Sequence, residues 1–499
     1  MQDVYFRASQ TGTAMETSGV PAVLLGHQLH YRRDSEPDGI FARWEWNRTR
    51  LVVSNDRYGF YPMFYYCNGQ EIAVSPSIAR LIQEGGAPTE LDYTALAVFL
   101  RLGYFVGEDT PFRHIRALPP GAKLEWDGAM RLSSAGYVLG KHGAAVSHDK
   151  AVDAYIELFR QSIARRSPAD DPFAIPLSGG RDSRHILLEL LRQRRIPKQC
   201  VTAQTGLGDT DSDIEVAGLL TRELGLSHLV LESEKPLFES EWRKNIETSF
   251  CTDEHTWFVQ TSDYLRENYR TTYDGIGGDI LSQGPGVRLT RKRLALFESG
   301  NASEMAEDLF GGHFENLLRK LLRPGIYALC SREAARHRLE CEIKRHLDAP
   351  NPVGSFYFWN RTRREIALAP YGLLGSLPTV FAPYLDHDLY DYLTTLPAGF
   401  LLDHPFHTEA ISKAYPEYRH IPFAHAPSPL VDPGHIRAQF FRSVAKRLLP
   451  RLPSSLMRSS FLLPRALAAL ASDSIATRGM WYSPLLLYLH QLESLSSRV

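Results

Sequence analysis

A chain of 499 residues is too long for one hydrophobic core and predicts two or three domains. Hydrophobic residues make up 43% and charged residues 23%, the balance of a globular protein and not of a disordered one. Lys plus Arg number 56 against 57 Asp plus Glu, and a net charge of -1 provides no electrostatic footprint for nucleic acid or for an anionic membrane, so neither is expected as a partner.

The five cysteines, Cys67, Cys200, Cys251, Cys330 and Cys341, are scattered and include no CxxC pair, which predicts reduced thiols. The opening MQDVYFRASQTG has polar and charged residues where a signal peptide needs an apolar run. No apolar stretch approaches the about 20 residues of a membrane span. A cytoplasmic location is expected.

Residues 1–135 read as β-rich. Short apolar runs (AVLLG, LHYRR, RLVVS, MFYYC) are separated by the turn signals Pro37-Asp38-Gly39, Asn55-Asp56 and Asn68-Gly69. Asn68-Gly69 between Phe64-Tyr65-Tyr66 and Ile72-Ala73-Val74 predicts a hairpin. After a Gly-, Ser- and Ala-rich loop the pattern changes. Ser147 can cap a helix that places Val152, Tyr155, Ile156, Phe159 and Ile163 on one face. A strand follows at Phe173–Leu177. Pro176 cannot donate to a ladder and should lie at its end. A helix at 182–194, a strand at 200–205, a helix at 212–224 and a strand at 228–232 complete an alternation that predicts a parallel α/β sheet. From about residue 235 helices dominate, apart from a short strand before Asp274.

The chemistry centres on Leu177-Ser178-Gly179-Gly180-Arg181-Asp182-Ser183, between a strand and a helix. Two glycines permit positive φ and close approach to a ligand. Backbone N–H groups and the helix N-terminus make an anion nest suited to phosphates, with the Ser178 and Ser183 hydroxyls as further donors. The Asp182 carboxylate suits a Mg2+ ion. A second loop, Tyr273-Asp274-Gly275-Ile276-Gly277-Gly278-Asp279, offers another aspartate about a hundred residues later. Two loops with one Asp each fit a cation bridging a triphosphate. No Walker lysine motif is present.

SGGxDS resembles the signature of the ATP pyrophosphatases, and the loop ending in Asp279 is similar to that of asparagine synthetases. Asp213-Ile214-Glu215-Val216-Ala217 and Pro383-Tyr384-Leu385-Asp386 resemble the same family. So do Asp38-Gly39-Ile40-Phe41-Ala42, Asp56 to Tyr65, Ser75 to Ile78, and Thr110 to Gly121 in the N-terminal half. The resemblance runs from about residue 38 to about residue 400. It implies a β-rich sandwich of the N-terminal-nucleophile glutaminase fold in residues 1–135 and an α/β ligase domain in residues 145–499. It also implies ATP and Mg2+, with Asp182 and Asp279 on the metal. Ser178, Gly179, Gly180, Asp182 and Ser183 would lie around the pyrophosphate, and Leu177, Thr202 and Gly275 along the adenosine.

The chain departs from the family in both halves. Gln2 follows Met1 and no cysteine precedes Cys67, so no glutamine hydrolysis is expected. The strands that should precede Asp38 look largely missing. Beta-lactam synthetases and lasso-peptide cyclases also carry relics of this domain. In the ligase half, Ile276 stands where the family has Glu or Tyr, and Ile cannot take a proton. Leu377-Pro378-Thr379 replaces a Glu-bearing segment. The lysine expected near Pro422-Phe423 is absent. Glu365 and His425 are the candidate catalytic replacements, with Glu254 and His255 as further candidates. The expected partners are a small-molecule or peptide carboxylate and an amine donor, and a homodimer is left open. The expected function is amide formation through an acyl-adenylate. A nucleotide-binding pseudoenzyme and a tRNA-modifying pyrophosphatase stay open as alternatives.

Overall fold

The computed structural model describes residues 4–12, 14–30, 37–143, 146–168, 171–204, 212–232, 237–282, 288–312, 314–424 and 434–496. The N-terminal half consists of two antiparallel sheets. One has the order β2 (Ala14–Gly19), β1 (Phe6–Thr11), β7 (Glu71–Ser75), β6 (Phe64–Cys67), β8 (Ile115–Ala117). The other has the order β10 (Met130–Ser134), β9 (Ala122–Trp126), β5 (Leu51–Asn55), β4 (Asp38–Trp46), β3 (Ala22–Leu29). The expected hairpin is the β6–β7 pair, with Cys67 opposite Ile72. Phe6 of one sheet meets Trp46 of the other at 5.6 Å between ring centroids.

Two expectations need correction here. Three strands, β1 to β3, precede Asp38: the AVLLG run lies in β3 as its apolar character predicts, whereas β1 and β2 stand where strands look largely missing from the sequence. β2 is an edge strand exposed along most of its length and carries no alternating apolar signal. Asp38-Gly39 is the start of β4 and not part of a turn, because both residues pair with β3.

The second half holds a parallel five-stranded sheet of order β13 (His228–Leu231), β12 (Gln199–Ala203), β11 (Ala174–Pro176), β14 (Thr271–Tyr273), β15 (Thr379–Phe381). Pro176 is the last residue of β11, as its missing N–H requires. The helix His148–Arg165 has Ser147 at its cap position without a side-chain cap bond, and buries Val152, Tyr155, Ile156, Phe159 and Ile163. β15 was not expected. Its three residues are too few for a periodicity signal, and they end beside Ala382-Pro383. Beyond the sheet, helices dominate. The last one, Ser483–Ser496, returns to the centre, where the Tyr488 hydroxyl donates to the Phe250 carbonyl at 2.9 Å. Among the described residues no helix is long and apolar enough to cross a membrane.

A buried arginine joins the halves. Arg166, at the end of the helix from His148, donates to Asp38 at 2.8 and 2.9 Å and to Asp386 at 2.8 Å. Both carboxylates are buried, and Arg166 holds Asp38 below the usual carboxylate range against the opposing effect of burial. Asp386 also caps the helix His387–Leu393 by accepting from the Asp388 and Leu389 N–H groups.

Candidate active site

Numbered in chain order, the parallel strands run 3-2-1-4-5, so the direction of winding reverses between β11 and β14. In open α/β sheets, that reversal opens a crevice at the carboxyl ends of the strands, where ligands bind. A cavity of about 430 Å³ lies there. Leu177 and Ser178 reach it from the end of β11, Thr202 and Ala203 from β12, and Asp274 and Gly275 from β14.

The tertiary fold brings the two motif loops together at Asp182. A methyl group on Gly275 would sit 2.7 Å from the Asp182 Cβ, and one on Gly278 would sit 2.7 Å from its Oδ1. Only glycine allows that approach. Between them, Gly277 holds φ +90, a region that L side chains rarely adopt. Asp182, Asp274 and Asp279 all line the cavity. Burial, then the charges of Asp279 and Asp274, push the Asp182 carboxyl well above its usual range, against donation from the Asp279 backbone and the charge of Arg181. Burial raises Asp274 to about 6, although it accepts the Ile276 N–H at 2.8 Å. Three crowded carboxylates carry negative charge that a hard dication would relieve, and their oxygens are the donors Mg2+ prefers.

The loop Ser178–Ser183 differs in detail from the expectation. Neither Gly179 nor Gly180 has positive φ. Gly179 is required sterically, since a Cβ there would lie 2.6 Å from Ala424 and 2.9 Å from Val216. The loop N–H groups also hold oxygens of the protein itself. Ser178 donates to the Ser183 hydroxyl at 3.1 Å, Gly179 to Asp213 at 2.8 Å, and Gly180 to the Ser178 hydroxyl at 3.2 Å. An anion docking there exchanges with these partners. Thr202 donates to the Leu177 carbonyl at 2.7 Å and ties the ends of β11 and β12 together.

The candidate catalytic groups separate. His425 lies outside the described residues. Glu365 does not reach the cavity wall. Its carboxylate is 1% exposed, pairs with Arg361 at 3.0 Å, and is pushed well above the usual range by burial and then by Asp253 and Glu254. Glu254 is half exposed and bonds Arg361 through both oxygens at 2.8 Å. His255 does line the cavity. It is 4% exposed, and burial lowers it to about 4, so its ring is neutral at pH 7. Its Nε2 lies 3.1 Å from the Glu365 carbonyl, while its Nδ1 is buried without a hydrogen-bond partner. The backbone at His255 has φ 78, strain of a kind that concentrates at functional sites. The weight of His255 over Glu365 was not legible in the sequence, since neither backbone strain nor burial leaves a composition signal. Ile276 is 4% exposed and has no group that could take a proton.

Residues 154–357 match the family described as asparagine synthase, and residues 25–137 match the glutamine amidotransferase domain family. The chain belongs to the asparagine synthetase family. A putative glutamine-hydrolysing asparagine synthetase of Mycobacterium bovis is 26% identical over 234 residues, 44% of this chain and 35% of that protein. Glutamine-hydrolysing asparagine synthetase 2 of Bacillus subtilis is 25% identical over 301 residues, 54% of this chain and 39% of that protein. The chain thus spans well under half the length of these curated relatives. Among solved structures, the NH3-dependent NAD synthetase of Campylobacter jejuni is 17% identical and covers 39% of this chain and 97% of its own, with a TM-score of 0.18, too low to carry an argument. Arg361, Glu365 and Pro383–Asp386 lie beyond the matched segments.

Proposed function

We propose that this asparagine synthetase family member is an ATP-dependent carbon–nitrogen ligase that activates a carboxylate as its acyl-adenylate for attack by an amine or ammonia, without hydrolysing glutamine. The observation that carries the reading is the meeting of Asp182, Asp274 and Asp279 with the Ser178–Ser183 loop in one cavity at the sheet's reversal point. The phosphates lie along Ser178, Gly179, Gly180 and Ser183, and the adenosine along Leu177, Thr202 and Gly275. Asp182 and Asp279 would hold Mg2+, which supplies charge neutralisation to the phosphates. The substrate carboxylate oxygen attacks the α-phosphorus, the bond to the β-phosphate oxygen breaks, and pyrophosphate leaves. The amine nitrogen then attacks the acyl carbon, and AMP leaves with the electrons of the C–O bond.

The attacking amine must lose a proton. His255 supports that role better than Glu365, because its side chain lines the cavity and Glu365 does not, although its Nδ1 is covered in this structure and the ring must turn to present it. In the N-terminal half the thiol on offer is Cys67, which burial raises above its usual range, the opposite of an activated nucleophile. That half is read as a relic of the glutaminase fold. Five unpaired cysteines support a reducing, cytoplasmic setting.

Exchange of labelled pyrophosphate into ATP, driven by a cognate acid, tests the adenylation step without the amine. Exchange that survives in His255→Gln while amide formation falls supports the assigned base. The absence of an acidic side chain at Ile276 favours one second reading, a nucleotide-binding pseudoenzyme. Mg2+-dependent ATP binding with no exchange for any acid of a broad panel would select it.

A further inference from the structure

The segments 255–261 and 361–370 bring Trp257, Phe258, Ile366, Ala369 and Pro370 to the cavity, and the strand-end loop adds Ile276. Against four aspartates, one arginine and no lysine line the same cavity among the described residues, and that arginine is Arg361. Arg361 stands at the end of a wide helical turn, Tyr357–Thr362, of the kind frequent at functional sites. Its Nη2 donates to both Glu254 oxygens at 2.8 Å, and its Nε lies 3.0 Å from Glu365 Oε2. Nη1 has no hydrogen-bond partner among the described residues, so two N–H donors remain. Glu254 is half exposed and screened by water, and burial pushes the Glu365 carboxyl above its usual range, which weakens the hold of both on the guanidinium charge.

One such cation beside an apolar wall selects its ligand. A carboxylate gains charge-assisted hydrogen bonds from Nη1. A second carboxylate on the same small acid, such as that of aspartate, finds no second cation among the described lining residues and would face the apolar wall or the cavity's own aspartates, which is costly. We infer that the acid taken by this site is a monocarboxylate with an apolar body, held by Arg361 and packed on Ile276, Ile366, Ala369 and Pro370, and not a dicarboxylic amino acid. The inference rests on the ligase reading of the cavity and names its substrate class.

The test is titration calorimetry of the full chain with Mg2+ and α,β-methylene-ATP, whose bridge cannot be cleaved, followed by butyrate, hexanoate, phenylacetate or aspartate. Nucleotide binding is a requirement of the ligase reading, and its failure sinks that reading and the inference with it. With nucleotide bound, hexanoate or phenylacetate should bind about tenfold or more tightly than aspartate. Arg361→Gln should abolish acid binding, and Ile366→Asn should weaken phenylacetate about tenfold, with nucleotide affinity unchanged in both. Ile366→Asn keeps the test alive if Arg361→Gln fails to fold. If nucleotide binds but aspartate is preferred, if none of the monocarboxylates binds, or if either folded variant keeps the parent's acid affinity, the inference is overturned while the ligase reading stands.

Discussion

Asp56, buried, and Asp274, half-buried on the cavity wall, both lie in loops that follow a strand, and desolvation raises both to about 6. Their surroundings differ. Asp56 accepts four backbone N–H groups, from Phe41, Tyr58, Phe60 and Tyr61, at 2.9 to 3.3 Å. Its charge is spent on fixing the chain between β5 and β6. Asp274 accepts one, from Ile276, and shares a cavity with Asp182 and Asp279. A carboxylate enclosed by backbone donors is an element of the fold. Carboxylates gathered with few donors around a cavity are costly unless something else binds there. Arg166 belongs to the first kind, since it neutralises Asp38 and Asp386 between the halves.

The comparison breaks most visibly at Arg166. Arg166→Met leaves the buried Asp38 carboxylate without its arginine, while Asp386 keeps Arg165 at 2.9 Å, and should cost about 3–5 kcal/mol in urea unfolding, with unchanged ATP–Mg2+ affinity in the folded fraction. A cost below about 1 kcal/mol would refute the clamp.

Asp182→Asn should do the reverse. Removal of one of three crowded carboxylates should weaken Mg2+-dependent ATP binding about 100-fold, roughly 2.7 kcal/mol. Urea stability should stay level or rise, because repulsion from Asp279 and Asp274 is relieved. Equal affinity by calorimetry would remove Asp182 from the metal site.

The direct contrast is Asp56→Asn against Asp274→Asn. The first turns an amide donor toward backbone donors and should cost about 1–3 kcal/mol. The second loses one acceptor and some repulsion, and should cost less than about 1 kcal/mol while lowering Mg2+ affinity. Equal stability losses would erase the distinction between the two loops.

The smallest effect is a dependence on pH. Asp274 ionises at about 6 when folded, against about 3.9 in an unfolded chain. Its protonated form therefore contributes stability that is lost as pH rises through about 6. On the proposed metal site a nearby dication would favour the ionised form of Asp274, so the rise in Tm caused by ATP–Mg2+ should grow between about pH 5 and pH 7. Asp274→Asn should flatten the part of that growth near 6. A shift with the same pH profile in parent and variant would exclude Asp274 as the titrating group.

Local sequence made much of this legible. Apolar spacing located the helix at 148–165 and the strands around 174, 200 and 228 within a few residues. Pro176 marked the end of its own strand. Short or exposed elements escaped, β2 for want of a buried face and β15 for want of length. Glycines in SGG and GIGG advertised a close approach, but not to what. In the structure most of that approach is to protein, Ala424 and Val216 for Gly179 and Asp182 for Gly275 and Gly278.

The sequence by itself determined two loops with glycines and aspartates in order, family membership, and the alternation that builds a parallel sheet. Only the tertiary structure decided that the loops meet. β11 and β14 lie about a hundred residues apart in the chain and pair side by side, Ala174 opposite Thr272, which sets Asp182 against Gly275 and Gly278. Tertiary packing also turned Glu365 toward Arg361 and left His255 and Arg361 on the cavity wall. The physical reason is that hydrogen bonds to neighbouring residues fix local elements. Burial, charge crowding and an unpartnered nitrogen are properties of surroundings assembled from distant parts of the chain.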